Sequence, residues 1–225
     1  MLGRPESLLI DGPAGHIEVV VEDPASPVVP RGLAVIAHPH PLMGGTMDNK
    51  VVHTLVRAFV LAGWRAVRFN FRGVGRSEGL YDEGRGEAAD LLAVVAHHLS
   101  DPALAGKPLA LAGFSFGGYV AAQAASRLLQ AAVDQPAVRA PSTVVLVSPA
   151  ASRFEVPVVP PHTLVVQGEA DDVVPLSAIF EWARPQQLPV TVVPGAGHFF
   201  HGQLGGLREI VLRHLRAEAA REAGG

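Results

Sequence analysis

The sequence predicts an α/β fold: a mostly parallel sheet with helices on both faces, opened by an N-terminal antiparallel hairpin and carrying no lid domain. Three observations lead there. From residue 33 onward, apolar β-rich runs alternate with helix-like segments, the pattern of strands joined through crossover helices. Several of those runs are apolar on consecutive positions, as strands covered on both faces must be. Finally, Gly113-Phe-Ser115-Phe-Gly117 stands between an apolar run and an Ala-rich stretch, which is the setting of a sharp strand-to-helix turn.

Each element has its own signal. Residues 8–10 and 17–22 are β-like and flank Asp11-Gly-Pro-Ala-Gly15, so they form a hairpin. Pro24, Pro27 and Pro30 mark a loop after it. Strands are expected at 33–37, 65–71, 109–114, 143–148, 163–167 and 190–193. Helices are expected at 48–62, 86–99, 116–132, 176–183 and 204–220. In the last of these, Leu204, Leu207, Val211 and Leu215 recur on one face, leaving Arg208, Arg213, Arg216 and Glu218 for solvent. Between residues 148 and 162, Pro149, Pro157, Pro160 and Pro161 break the connection, which leaves no room for a helical lid. A chain of 225 residues with no repeat and no linker is expected to form one domain over 1–225.

Composition narrows the classes. A formal charge of −3 offers no electrostatic case for nucleic acid or an anionic membrane. The lack of cysteine excludes disulfides, thiolate catalysis and Cys-based zinc sites, and fits a reducing cytoplasm. Arg4, Glu6 and Asp11 interrupt the start of the chain, so no secretory signal is expected. No charge occurs between Lys107 and Arg127, but Pro108, Gly113, Gly117, Gly118 and Gln123 lie inside that stretch. A buried strand, turn and helix explain it better than a membrane span.

The chemistry begins at Ser115. A serine hydroxyl is a poor nucleophile near neutral pH, so it needs a base, and the base needs an orienting acid. For a serine at a strand-to-helix elbow these come later, in the order acid and then histidine. Gly168-Glu-Ala-Asp171-Asp172 follows one expected strand, and Gly195-Ala-Gly197-His198 follows the next. All three residues therefore lie just past strand ends, on one rim of the sheet. Asp171 is favoured over Asp172, which reads as a capping or solvent-facing neighbour. His198 is favoured over His201 as base. An oxyanion needs two donors: one is expected from the Phe116 N–H, the other from His40 or Leu42, with His40 preferred. Pro39 and Pro41 have no N–H to give. The pair His38-x-His40 could suggest a metal, but no carboxylate stands at a recognisable spacing, and neither a metal nor a cofactor is expected. His53, His97 and His98 lie on expected helices and read as surface or structural residues. Leu42, Met43, Phe114, Phe154 and Phe199 are the candidate apolar walls of a substrate pocket.

These motifs together resemble the α/β-hydrolase superfamily over nearly the whole chain. More narrowly the sequence looks like the small lidless bacterial hydrolases that carry His-Pro-His-Pro-x-x-Gly-Gly-Thr-Met-x-Asn after the third strand, here His38 to Asn49. The segment Asn70-Phe-Arg72-Gly73-Val-Gly75-Arg-Ser77-Glu-Gly79 and the run Gly197-His198-Phe199-Phe200-His201 match as well. The resemblance implies Ser115, Asp171 and His198 as a triad that hydrolyses carboxylic esters with short or exposed acyl groups, through an acyl-enzyme and without a cofactor. Arg72 and Ser77 are read as loop braces. A peptidase, an amidase or an acyltransferase would use the same triad, and a non-catalytic binding protein could occupy the same scaffold. The expected partner is a small-molecule ester or acyl compound.

Overall fold

The computed structural model describes residues 6–25 and 29–224. Residues 1–5 and Pro27, which bear on the expected N-terminal segment and loop, lie outside them. The hairpin comprises β1 (Leu8–Gly12) and β2 (Gly15–Glu22), followed by β3 (Leu33–Ala37), α1 (Lys50–Leu61), β4 (Arg65–Phe69) and α2 (Arg85–Leu99). Then come β5 (Leu109–Phe114), α3 (Phe116–Asp134), β6 (Thr143–Val147), β7 (Leu164–Gly168), α4 (Leu176–Ala183), β8 (Val190–Val193) and α5 (Leu204–Gly224). The eight strands run in the order β1-β2-β4-β3-β5-β6-β7-β8. β2 pairs antiparallel with both β1 and β4, and every pairing from β4 to β8 is parallel.

The two-residue period of the strands sorts the core into two layers. From β3, Leu33, Val35 and Ala37 face one side, with Leu91 and Val94 of α2, Val120 and Ala124 of α3 and Ile179 of α4. Ala34 and Ile36 face the other, against Val52, Leu55 and Phe59 of α1 and Leu207, Val211 and Leu215 of α5. The predicted apolar stripe of α5 is thus a core face, although Leu204 at its start is only partly buried.

Several boundaries shift by a few residues from expectation, and for two of them the reason is visible in the hydrogen bonds. α1 begins at Lys50 because Asn49 is its cap, the Asn49 side chain accepting from the Val51 N–H at 2.8 Å. β4 stops at Phe69 because the Phe71 N–H donates to His38 Nε2 at 3.0 Å instead of to a neighbouring strand.

Strand order reverses beside β3, whose neighbours are β4 and β5. Open parallel sheets bind ligands at the carboxyl ends of strands where such a reversal opens a crevice. Here those ends are followed by the loop from His38 and by Ser115.

The turn at Ser115 is the tightest feature of this region. Ser115 has φ 56° and ψ −119°, a conformation that a residue with a side chain adopts only under constraint. A Cβ on Gly113 would run into the Gly117 carbonyl, and one on Gly117 into that of Ala37. Gly117→Ala is therefore expected to lower stability by about 2–4 kcal/mol through backbone displacement. Urea unfolding measures this, and a variant as stable as the parent would show that the contact can relax.

Candidate active site

Ser115 leaves β5 with its backbone tied on several sides. Its N–H donates to the Val147 carbonyl at 2.9 Å, and its own carbonyl accepts from Gly118, Tyr119 and Ala150. Its hydroxyl lies 3.1 Å from His198 Nε2. His198 follows β8, in a loop drawn against the end of β7. The Ala170 N–H donates to the Ala196 carbonyl at 2.9 Å, and a Cβ on Gly168 would strike that same carbonyl. Phe114 packs beneath the His198 ring with centroids 4.8 Å apart.

His198 Nδ1 lies 2.8 Å from Asp171 Oδ2, with side-chain exposures of 4% and 0%. Asp171 Oδ2 also accepts from Gln167 Nε2 at 3.0 Å, while Oδ1 accepts from the Val173 and Val174 N–H groups. Burial pushes the Asp171 carboxyl up, but the hydrogen bonds from His198 and Val174 outweigh it and hold its pKa below the ordinary value. An ionised Asp171 accepts only, so Nδ1 carries the imidazole proton. Nε2 is then free to accept from the Ser115 hydroxyl. Asp172 is exposed and outside this network, and His201 is exposed beyond Phe199.

The loop after β3 is braced from below. His38 is fully buried, its Nδ1 donating to the Pro39 carbonyl at 2.6 Å and its Nε2 accepting from Phe71. Both ring nitrogens are therefore engaged. Asn70 Oδ1 accepts from the Met47 N–H at 2.9 Å and fixes the far end of the loop. Within the loop, the Leu42 N–H donates to His40 Nδ1 at 3.2 Å. That removes Leu42 as a free donor. Among the described residues, the His40 and Phe116 N–H groups have no acceptor. With Nδ1 accepting, His40 carries its proton on Nε2, which faces the Tyr81 hydroxyl at 3.3 Å. Burial and the nearby Arg153 charge lower the His40 pKa, which favours the neutral ring.

Ser115, Phe116, His40 and His198 border one cavity of about 320 Å³. Met43, Ala150, Phe154, Val173, Val174 and Phe199 supply its apolar walls. Two expected wall residues are not there. Leu42 turns outward and is 68% exposed, because its amide is pinned back to His40. Phe114 is fully buried on the other side of the His198 ring, as the inward-facing last residue of β5. Arg72 and Ser77 are braces: Arg72 pairs bidentately with Asp90 at 2.8 Å, and the Ser77 hydroxyl donates to the Asn70 carbonyl at 2.7 Å.

Sequence reasoning missed Gln167, Tyr81 and Arg153. Only Gln167 left a trace, as a lone amide closing the apolar run Leu164-Val-Val166. The other two arrive from loops whose course the sequence does not encode locally. Among the described residues no group of acidic, histidine or cysteine side chains is placed to hold a metal ion, and no helix is long and apolar enough to cross a membrane.

Comparison with known proteins places this geometry in a class. XC6422 from Xanthomonas campestris, an α/β serine hydrolase without a lid, superposes with a TM-score of 0.83 at 36% identity, with 96% of each chain covered. An α/β serine hydrolase homologue from Coxiella burnetii gives a TM-score of 0.78 at 40% identity, over 96% of this chain and 99% of that one. Residues 72–157 also match the model of the Thioesterase domain family. The uncharacterized protein RP471 of Rickettsia prowazekii is 40% identical over 120 residues, 53% of this chain and 49% of that protein. The match thus spans about half the length of this curated relative. The chain belongs to the family of lidless α/β serine hydrolases.

Two buried histidines, His38 beneath the loop after β3 and His98 in the last turn of α2, make stability depend on pH. Burial lowers the His38 pKa from 6.5 to about 3, and that of His98 to about 4. Between those values and 6.5 the unfolded chain binds protons that the folded chain refuses, so stability rises with pH across that window. As pH falls below about 6.5 it is lost, and Asp171, with its lowered pKa, adds a loss of the same sign only below the ordinary carboxylate range near 4. The urea midpoint is expected to drop steadily from pH 7 to about 4.5, and His38→Gln to flatten that slope. A midpoint independent of pH over this range would contradict the assignment.

Proposed function

We propose that this chain is a serine hydrolase that cleaves carboxylic esters bearing short or exposed acyl groups, with Ser115, His198 and Asp171 as its triad. The observation that carries the reading is the continuous hydrogen-bonded line from Ser115 Oγ through His198 to Asp171, at 3.1 and 2.8 Å. These separations lie within the reach that general-base activation requires.

In this reading His198 Nε2 takes the Ser115 proton as Oγ attacks the acyl carbonyl. Asp171 fixes the ring so that Nε2 is the basic nitrogen, and favours the imidazolium that forms. The Phe116 and His40 N–H groups donate to the oxyanion. Collapse of the tetrahedral adduct breaks the bond to the leaving alcohol, which receives the proton from His198. Water then attacks the acyl-enzyme with His198 again as base. The carboxylic acid leaves, and Ser115 regains its proton.

A second substrate class has specific support. The match to the Thioesterase domain over residues 72–157 includes Ser115, and a thioester follows the same steps with a thiol departing. No helix stands between β6 and β7, which supports an open site that cannot enclose a long chain.

Ser115→Ala is expected to lower turnover of p-nitrophenyl butyrate by about 10⁴-fold or more. A fluorophosphonate probe should label the parent at Ser115 and leave the variant unlabelled. Retention of more than a tenth of the parental rate would remove Ser115 from the mechanism. In a chain-length series the rate should peak at acetate to butyrate, and a maximum at dodecanoate would contradict the open-site reading.

A further inference from the structure

Among the described residues, Arg153 is the single one on the cavity lining with a permanent charge, and the mechanism above leaves it unused. It stands in the turn that follows β6, and this turn is anchored to the nucleophile itself. The Ala150 N–H donates to the Ser115 carbonyl at 3.2 Å, and the Ala150 carbonyl accepts from the N–H groups of Arg153 at 3.1 Å and Phe154 at 3.0 Å. The Phe154 ring stacks on Tyr119 at 4.6 Å and meets Phe116 edge-on at 5.3 Å. The base of the Arg153 side chain is thereby held at a set position relative to Ser115.

Its charge has no partner of opposite sign there. Among the described residues no carboxylate forms an ion pair with Arg153, and neither aspartate nor glutamate lines the cavity. Asn49 contributes to the same lining. Its side-chain oxygen is committed to the Val51 N–H, so what it has left to offer is a donor. Arg153 is exposed, so its uncompensated charge acts from the open side of this apolar cavity and draws anions to it. The charge sits with the oxyanion loop: Phe154, next to Arg153 in the chain, has its ring 6.2 Å from that of His40, which offers one of the proposed oxyanion donors. The leaving group must instead depart beside His198 Nε2.

We propose that Arg153 recognises a carboxylate on the acyl group, so that the preferred substrates are monoesters or monothioesters of short dicarboxylic acids. The reacting carbonyl sits at Ser115 while the free carboxylate meets the guanidinium, whose planar fork can donate two parallel hydrogen bonds. The bond changes are those of the proposed hydrolysis. The Oγ–acyl bond forms, the bond to the leaving alcohol or thiol breaks with the proton coming from His198, and water releases the dicarboxylate. The inference rests on the serine hydrolase reading and adds the acyl class.

The test compares p-nitrophenyl hemiglutarate with p-nitrophenyl pentanoate, which match in chain length and differ in the terminal carboxylate. The parent should prefer the hemiglutarate in kcat/KM. Arg153→Gln should lower the hemiglutarate-to-pentanoate ratio by about tenfold to a hundredfold, mainly through KM, as loss of hydrogen bonds to a charged group implies. Arg153→Lys should keep part of the preference, because it retains charge but loses the fork. A ratio that is the same in all three proteins overturns the inference while pentanoate hydrolysis and probe labelling leave the hydrolase reading standing. A preference that appears instead for 4-carboxyphenyl butyrate, with the anion on the leaving group, overturns the acyl-side assignment. Failure of both esters together with failure of fluorophosphonate labelling overturns both readings.

Discussion

At Ser115 the chain turns from β5 into α3 with a backbone conformation that leaves no room for side chains at Gly113 or Gly117. Most of the site geometry follows from that constraint. The close approach of Gly117 to the Ala37 carbonyl brings the end of β3, and with it the loop from His38, against the start of α3. The Ser115 N–H and carbonyl, both turned toward neighbouring segments, collect Val147 at the end of β6 and Ala150 just beyond it. One tight turn therefore sets the positions of the loop from His38 and of the segment after β6. The cost of the strain is borne by a core in which β3, β5 and β6 are buried along their whole length.

Around this turn the polar groups are satisfied in an order that leaves a few of them free. His38 uses both ring nitrogens to hold the loop, His40 uses Nδ1 to hold Leu42, and Asp171 receives four hydrogen bonds. Buried polar groups need such partners. The N–H groups of His40 and Phe116 are exceptions on the cavity wall and are the donors of the proposed oxyanion site. Arg153 also borders the cavity without an acid, but it is exposed and meets water.

The open cavity has a structural cause of its own. Between β6 and β7 the chain is a turn followed by an extended, proline-rich connection, and the aromatic stack of Phe154 on Tyr119 holds it down beside the site. Through Ala150, Arg153 and Phe154 this connection forms one wall of the cavity.

Much of this was legible in the primary structure because it rests on local rules. Strand and helix periods, the glycines at 113 and 117, the prolines at 39 and 41 and the residue types past each strand end are all constrained within a few neighbours. The parallel sheet and the placement of Ser115, Asp171 and His198 on one rim follow from those rules. What the chain order could not show is contact between segments far apart in it. That Phe114 lies under the imidazole of His198, that Tyr81 meets His40 and that Arg153 borders the cavity were decided by packing. Each depends on which loop meets which across the sheet edge, and a loop's path is set by the hydrogen bonds and volumes of its distant neighbours.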